Sequence, residues 1–308
     1  VFDHAVIYLR PRLLSDPVTS PLLQHLLAQL VLEQADFCIK LAQMNRAQRL
    51  IVEAQKLVPH LTDTTLEAST HQRLGDVGWA HGDYTLHRTA YEKVLELART
   101  GGMQHLEAHA LSNLGMNYDL HGDYQQAIAC YQSALVITQQ NEHLHQTNII
   151  YNNLGVSYGM LGDFTSTLYY YEQTLRLSRQ LGDQEGIAFA YLNLGTLLNK
   201  LGAWEEAKTH LDQAYKRFRR LRNRRLTAKA RITLGLLAYH FGDNSNAKQH
   251  CQQALRVARK HHFRAVEAEA LTVLGPIFIE QQNLAAALDA YTQAQNLWKM
   301  LGQEAMAL

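Results

Sequence analysis

The stretch YNNLGVSYGMLGDF, Tyr151–Phe164, decides how the chain is read. A Leu-Gly pair is followed by an aromatic four residues after the Leu, then by Gly-Asp and a second aromatic. Leu154, Tyr158 and Leu161 fall at i, i+4 and i+7, the spacing of one helix face, and are expected to form a buried stripe. Gly162 supplies a stop, and Asp163 a cap for a following helix. Asn153 and Gly155 are poor helix formers, so each needs a reason of its own.

Working outward, Leu-Gly recurs at Leu74-Gly75, Leu114-Gly115, Leu154-Gly155, Leu194-Gly195, Leu234-Gly235 and Leu274-Gly275, forty residues apart every time. A second glycine follows eight residues after the Leu at Gly82, Gly122, Gly162, Gly202 and Gly242. Small residues keep register at Ala127, Ala207, Ala247 and Ala287, and again at Ala134, Ala214, Ala254 and Ala294. Aromatics keep it at Tyr91, Tyr131, Tyr171 and Tyr291. So many columns at one period mark a repeat architecture. Ala28, Ala47 and Ala54 sit on the same columns, although Gln34-Ala35 replaces Leu-Gly. The expected organisation is an irregular lead-in at 1–21 and a degenerate first repeat at 22–65. Six units follow at 66–104, 105–144, 145–184, 185–224, 225–264 and 265–308.

Each unit reads as two helices. Within Thr165–Leu181 the second helix carries Leu168, Tyr171, Leu175 and then Ser178 or Arg179 at helical spacing. A six-to-eight-residue polar joint is expected after it, as in Leu181-Gly182-Asp183-Gln184-Glu185. Neither helix can bury its stripe alone, so stacked neighbours must supply the core. Pro276 removes a backbone donor and is expected to kink the last first-helix or delay its start. Leu301-Gly302-Gln303-Glu304 repeats that joint as if another unit began.

Composition narrows the function classes. Hydrophobic residues make up 47% and charged residues 19%, enough to bury a core and too apolar for a disordered tail. The formal net charge of +1 favours no partner class. Cys38, Cys130 and Cys251 are far apart and form no C-x-x-C, so a reducing, cytoplasmic setting is expected, with small core cysteines. No apolar run approaches the roughly 20 residues that span a bilayer, and no signal peptide is apparent. The chain starts at Val1, not Met, and reads as a piece of something longer. No P-loop, G-x-G-x-x-G, H-E-x-x-H or G-x-S-x-G occurs, so no enzyme and no cofactor is expected. His143-x-His145 and His261-His262 lack a Cys or carboxylate partner at ligand spacing, so no metal is expected. Trp79, Trp204 and Trp298 fall near unit junctions and read as packing.

Leu114, Gly115, Tyr118, Gly122, Tyr124, Ala127, Tyr131 and Ala134 resemble the tetratricopeptide repeat position by position. That repeat is shorter by about six residues. The longer form looks like the repeats of kinesin light chain and of the sensor regions of bacterial STAND signalling ATPases. The resemblance covers Leu66 to Leu301 closely and Pro21 to Pro59 loosely. It implies an all-α fold, a right-handed superhelical solenoid of stacked antiparallel helix pairs. It also implies that one face of each first helix (helix A) looks into a concave groove that binds protein or peptide segments.

On helix A that face carries His109, Asn113, Met116 and Leu120 in one unit, then Ile149, Asn153, Val156 and Met160. Phe189, Asn193, Thr196 and Lys200 follow, then Lys229, Thr233, Leu236 and His240. Apolar residues interleaved with Asn, His and Lys suit a surface that grips a chain. Asn113, Asn153 and Asn193 could pair with a peptide backbone, since an amide both donates and accepts. They could equally bond a neighbouring helix and fix stacking. Arg73, Thr233 and Val273 fill the slot elsewhere, so the fold tolerates other residues there.

A basic run, KRFRRLRNRRLTAKAR, Lys216 to Arg231, holds nine cations and no acid. Arg217, Arg219, Arg220, Arg222, Arg224 and Arg225 form a candidate patch for an anionic partner. The plainer reading is a solvated joint whose cations compensate a helix C-terminus. Nucleic acid is not expected, because no aromatic platform or reading helix accompanies the run. Two functions remain. One is the ligand sensor of a larger STAND-type ATPase, whose upstream nucleotide-binding module is released by a trigger. The other is a free-standing adaptor or scaffold.

Overall fold

The computed structural model describes residues 21–41, 43–58 and 63–301. Most of the expected lead-in, Pro59 and the 302–308 end of the last unit lie outside them. The described residues form fourteen helices. The first pair is α1 (Pro21–Lys40) and α2 (Met44–Leu57). Twelve more follow: α3 (Thr64–His81), α4 (Tyr84–Thr100), α5 (Gln104–Leu120), α6 (Tyr124–Gln140), α7 (Leu144–Leu161), α8 (Phe164–Leu181), α9 (Gln184–Lys200), α10 (Trp204–Arg220), α11 (Arg224–His240), α12 (Asn244–Lys260), α13 (Arg264–Glu280) and α14 (Leu284–Met300). From α3 onward every second helix starts forty residues after its counterpart. Odd-numbered helices from α3 carry the Leu-Gly pair and are helix A of each unit. The chain divides into two compact units, Val1–Gly162 with α1 to α7 and Asp163–Leu308 with α8 to α14.

Both kinds of connection are built alike. From α3 to α13 the residue after the helix end, or one beyond it, is left-handed: φ is 80° at Gly122, 79° at Gly202 and 76° at Gly242. The next N–H then reaches back five residues, as Asp123 N to Tyr118 O at 3.0 Å. That geometry satisfies carbonyls that the helix leaves unpaired. Between repeats the same position is Gly102 (φ 66°), Glu142 (φ 55°), Gly182 (φ 68°), Arg222 (φ 54°) or His262 (φ 56°). The expected six-to-eight-residue joint is therefore corrected to three residues or fewer between units from α4 onward. The polar residues Gln184 and Glu185 belong to the first turn of α9, where Asp183 caps Gly186 N at 2.9 Å. The extra length of the repeat lies in helices of 17 or 18 residues.

Packing follows the columns. Leu154 is fully buried and Tyr158 half-buried, but Leu161 is 47% exposed, which corrects the expected three-residue stripe. Leu161 is the last residue of α7, beyond the reach of the core. In α8 the stripe continues through buried Ser178, and Arg179 is exposed. The Leu-Gly glycine is a contact point: a Cβ at Gly115 would meet Tyr131 Cε1 at 2.6 Å, and one at Gly235 would meet Cys251 Sγ at 2.6 Å. Only hydrogen lets the two helices approach so closely. In the second unit Leu192, Leu211, Phe218, Leu226 and Leu237 build a shared core, each buried side chain contributing roughly 1.5–3 kcal/mol. Cys38 and Cys251 are buried and all three cysteines are free. Burial pushes the Cys251 thiol up to about 12. Helix α13 begins forty residues after α11, in register with its counterparts, and runs for seventeen residues with Pro276 inside it, so it does not start late.

Candidate functional site

The helix-A column was the candidate binding face, and its members have different surroundings. In the first unit, on α5, His109 is half-buried with its ring 5.7 Å from that of Tyr91. Its Nδ1 is buried without a hydrogen-bond partner. Burial lowers the basicity of this imidazole, against the opposing pull of Asp76. The Asn113 amide donates to the His109 carbonyl of its own helix at 2.9 Å. Met116 is half-buried and Leu120 exposed.

Helix α7 touches α5 and presents the most open part of the column. Ile149 is 57% exposed, Val156 40% and Met160 59%. Asn153 lies half-buried among them and accepts from the Asn152 amide at 3.4 Å. Three apolar side chains at i, i+7 and i+11 therefore share a stripe of one helix with an amide between them.

On α3 the same column is closed. Arg73 forms a two-pronged pair with Asp36 of α1, at 2.7 Å for both contacts. Asp76 accepts from the Tyr91 hydroxyl at 2.5 Å. Repeat alignment placed Arg73 in the asparagine slot, but its partner Asp36 lies on the degenerate repeat, where no signature marked it.

In the second unit the column is largely engaged within the fold. Phe189 packs edge-on against Phe218 at 5.4 Å, as part of the core. Asn193 is half-buried. The Thr196 hydroxyl donates to Leu192 O at 2.8 Å. Lys200 lies 4.9 Å from the centre of the Phe164 ring. Lys229 approaches Glu269 at 3.6 Å, and Thr233 donates to the Lys229 carbonyl at 3.3 Å. His240 Nδ1 is 2.8 Å from Asn199 Oδ1, and its ring stacks on Trp204 at 6.0 Å.

The basic run occupies the end of α10, the connecting turn and the start of α11. Arg217 donates to Gln184 Oε1 at 2.9 Å and lies 5.5 Å from the Tyr191 ring. Arg219 and Arg231 both cover Tyr215, at 5.8 and 5.2 Å. Arg224 contacts His261 at 3.4 Å, while Arg220, Arg222 and Arg225 are exposed. The column of Arg219 shows how its charge differs from its counterparts. Arg99 meets Glu107 at 2.9 Å and Arg259 meets Glu267 at 2.8 Å. Thr227 stands where that glutamate would face Arg219. Among the described residues no helix is long and apolar enough to cross a membrane.

Comparison with known proteins adds a family and a set of folds. A family model for the MalT-like TPR region matches residues 104–270, and a tetratricopeptide repeat model matches residues 66–140. No curated protein matches the chain by sequence. Among solved structures, the apo form of RapI is similar, with a TM-score of 0.78 at 13% identity, covering 90% of this chain and 99% of that one. The Rap conjugation gene regulator of the plasmid pLS20, in complex with the Phr* peptide, gives 0.69 at 15% identity, covering 91% of this chain and 76% of that one. A signal-transduction ATPase with numerous domains (STAND) carrying a tetratricopeptide repeat sensor, from Pyrococcus horikoshii, gives 0.72 at 13% identity. It covers 99% of this chain, and this chain spans 48% of that protein. At these identities the likeness is one of fold.

Proposed function

We propose that this chain, which belongs to the MalT-like TPR region family, is a non-catalytic binding module that takes a polypeptide segment along helices α5 and α7. The observation that carries the reading is the open stripe of Ile149, Val156 and Met160 around Asn153. Water-exposed apolar side chains at helical spacing gain free energy when a partner covers them. An amide among them fixes the register of the covering backbone. The peptide-bound Rap regulator supports a peptide as the class of ligand.

The larger context proposed is the sensor region of a STAND-type ATPase, with the nucleotide-binding module elsewhere in a longer chain. The Pyrococcus horikoshii protein, about half of which matches this chain, supports that setting. The alternative is an adaptor with no coupled ATPase. The exposed arginines at 220, 222 and 225 are proposed as a separate patch for an anionic partner.

The test is capture of polypeptides from the native host by the wild-type chain and by an Ile149→Asp/Met160→Asp variant, each read by mass spectrometry. A polypeptide retained by the first and lost by the second, at equal melting temperature, supports the site. Identical capture by both removes it.

A further inference from the structure

A second site lies in the other compact unit, and it comes from an alanine in a column that is aromatic in three repeats. Between α10, α11 and α12 there is a cavity of about 370 Å³. Its lining includes Lys208, Asp212, Leu234, Ala238, Phe241 and His250. The volume is at the small end of the roughly 300–1,000 Å³ of ligand pockets. Exposed Glu205, Lys208 and Asn246 stand at its edge, so it is reached from solvent.

The repeat itself explains the cavity. Ala238 belongs to a column whose other members are Gly78, Tyr118, Tyr158, Leu198 and Phe278. At Gly78 the next helix closes in, and a Cβ there would lie 2.9 Å from His87 N. Where that residue is aromatic, the preceding second helix covers it. Arg88 lies 5.6 Å from the centre of the Tyr118 ring, and Lys248 lies 5.2 Å from that of Phe278. At Tyr158 the hydroxyl accepts from the Gln132 amide at 3.0 Å. Lys208 occupies the column of Arg88 and Lys248, and Asp212 the column of Gln132. The cation and the hydroxyl partner are both present, but alanine leaves the place between them empty. His250 Nδ1 is also buried there without a hydrogen-bond partner.

We propose that this cavity takes a phenol ring, supplied by a tyrosine side chain of a bound polypeptide. The ring lies on Leu234, Leu237 and Phe241 as the rings of the sister repeats lie on their own helices. Lys208 covers its face, a favourable cation–π arrangement. The hydroxyl donates to the Asp212 carboxylate, replacing the Gln132–Tyr158 bond by a charge-assisted one. The carboxylate is what favours tyrosine over phenylalanine. The site uses a face of α11 other than the one bearing Lys229, Thr233 and His240, and none of its residues belongs to the α7 stripe.

The test uses N-acetyl-L-tyrosinamide, N-acetyl-L-phenylalaninamide and the peptide Gly-Ser-Gly-Tyr-Gly-Ser, titrated by NMR into the whole chain. The tyrosine amide and the peptide are expected to bind the wild type. Ala238→Phe, which restores the sister residue, weakens both at least tenfold while its melting temperature holds or rises. Ala238→Leu, which copies Leu198, does the same if the larger ring is not accommodated. Asp212→Asn lowers the preference for tyrosine over phenylalanine towards one. Equal affinity in the wild type and a folded filled variant, or no binding by the wild type, overturns the site. Binding of the free amide with exclusion of the peptide overturns a polypeptide source. An Ile149→Asp/Met160→Asp chain should bind all three probes normally, so failure there is separable from failure of the α7 stripe.

Discussion

The Tyr131 hydroxyl donates to the Asp119 carboxylate at 2.8 Å, and its ring lies against Gly115, where a Cβ would come within 2.6 Å of Cε1. Asp119 is held from a second side by the Ser157 hydroxyl at 2.7 Å. The ring is fully buried and its hydroxyl is tied, so it cannot swing away. Gly115→Ala is therefore expected to destabilise the chain. Overpacking costs about 1–3 kcal/mol, and the better helix propensity of alanine returns up to about 1 kcal/mol. A net loss of roughly 1–2 kcal/mol should appear in urea unfolding. An unchanged midpoint would mean that the helices separate easily.

The left-handed positions allow a prediction of opposite sign. Arg222, His262 and Gln282 adopt φ of 54°, 56° and 56°; sister repeats place Gly102 and Gly182 in the slot of the first two, and Gly82, Gly122, Gly162, Gly202 and Gly242 in that of Gln282. A Cβ there costs about 1–2 kcal/mol, partly offset because glycine loses more entropy on folding. Arg222→Gly, His262→Gly and Gln282→Gly should each stabilise by roughly 0.5–1 kcal/mol. Gly202→Ala, at φ 79°, should destabilise by a similar amount. Thermal melts of the four variants decide this.

His87 supplies a pH dependence. It is buried between Trp79 and Tyr91, with ring centres 5.0 and 4.9 Å away. Burial lowers its basicity, against opposing contributions from Asn113 and Asp76. The folded chain thus resists a proton that the unfolded chain accepts near pH 6.5. More protons are bound in the unfolded state, so stability rises with pH across that window. Acidification from pH 7.5 to 5.5 should weaken the fold, and His87→Phe should show a shallower slope by denaturant titration. A variant with the wild-type slope would remove His87 as the source.

Much of this was legible in the sequence because a strict forty-residue period fixes which residues share a column. Leu154, Tyr131 and the left-handed Gly162 followed from that alignment and from ordinary helix signals. Joint length did not, because Glu142, Arg222 and His262 adopt the glycine conformation without being glycine. The burial of Leu161 was misjudged because spacing says nothing about where a helix ends relative to the core. The cavity at Ala238 was written in its column, but as a missing ring, and a scan for recurring residues passes over absences. Phe189 and Met160 share the helix-A face, yet one packs on Phe218 and the other is exposed. Only neighbouring side chains separate them.

That separation makes the binding face testable residue by residue. Met160 and Ile149 are more than half exposed, so an aspartate at either removes little native packing. Surface changes of this kind usually move stability by no more than about 0.5 kcal/mol. A partner that buries them would lose their apolar contact and have to desolvate a carboxylate, so affinity should fall at least tenfold. Phe189→Asp places a charge against Phe218 and should lower stability by several kcal/mol, whatever it does to binding. Asn153→Ala should cost binding more than melting temperature if its amide reads a ligand backbone. If Asn153→Ala instead lowers the melting temperature and leaves affinity intact, the asparagine serves stacking, and the apolar stripe alone carries recognition. If both aspartate variants bind as the wild type does, the polypeptide site lies elsewhere on the chain.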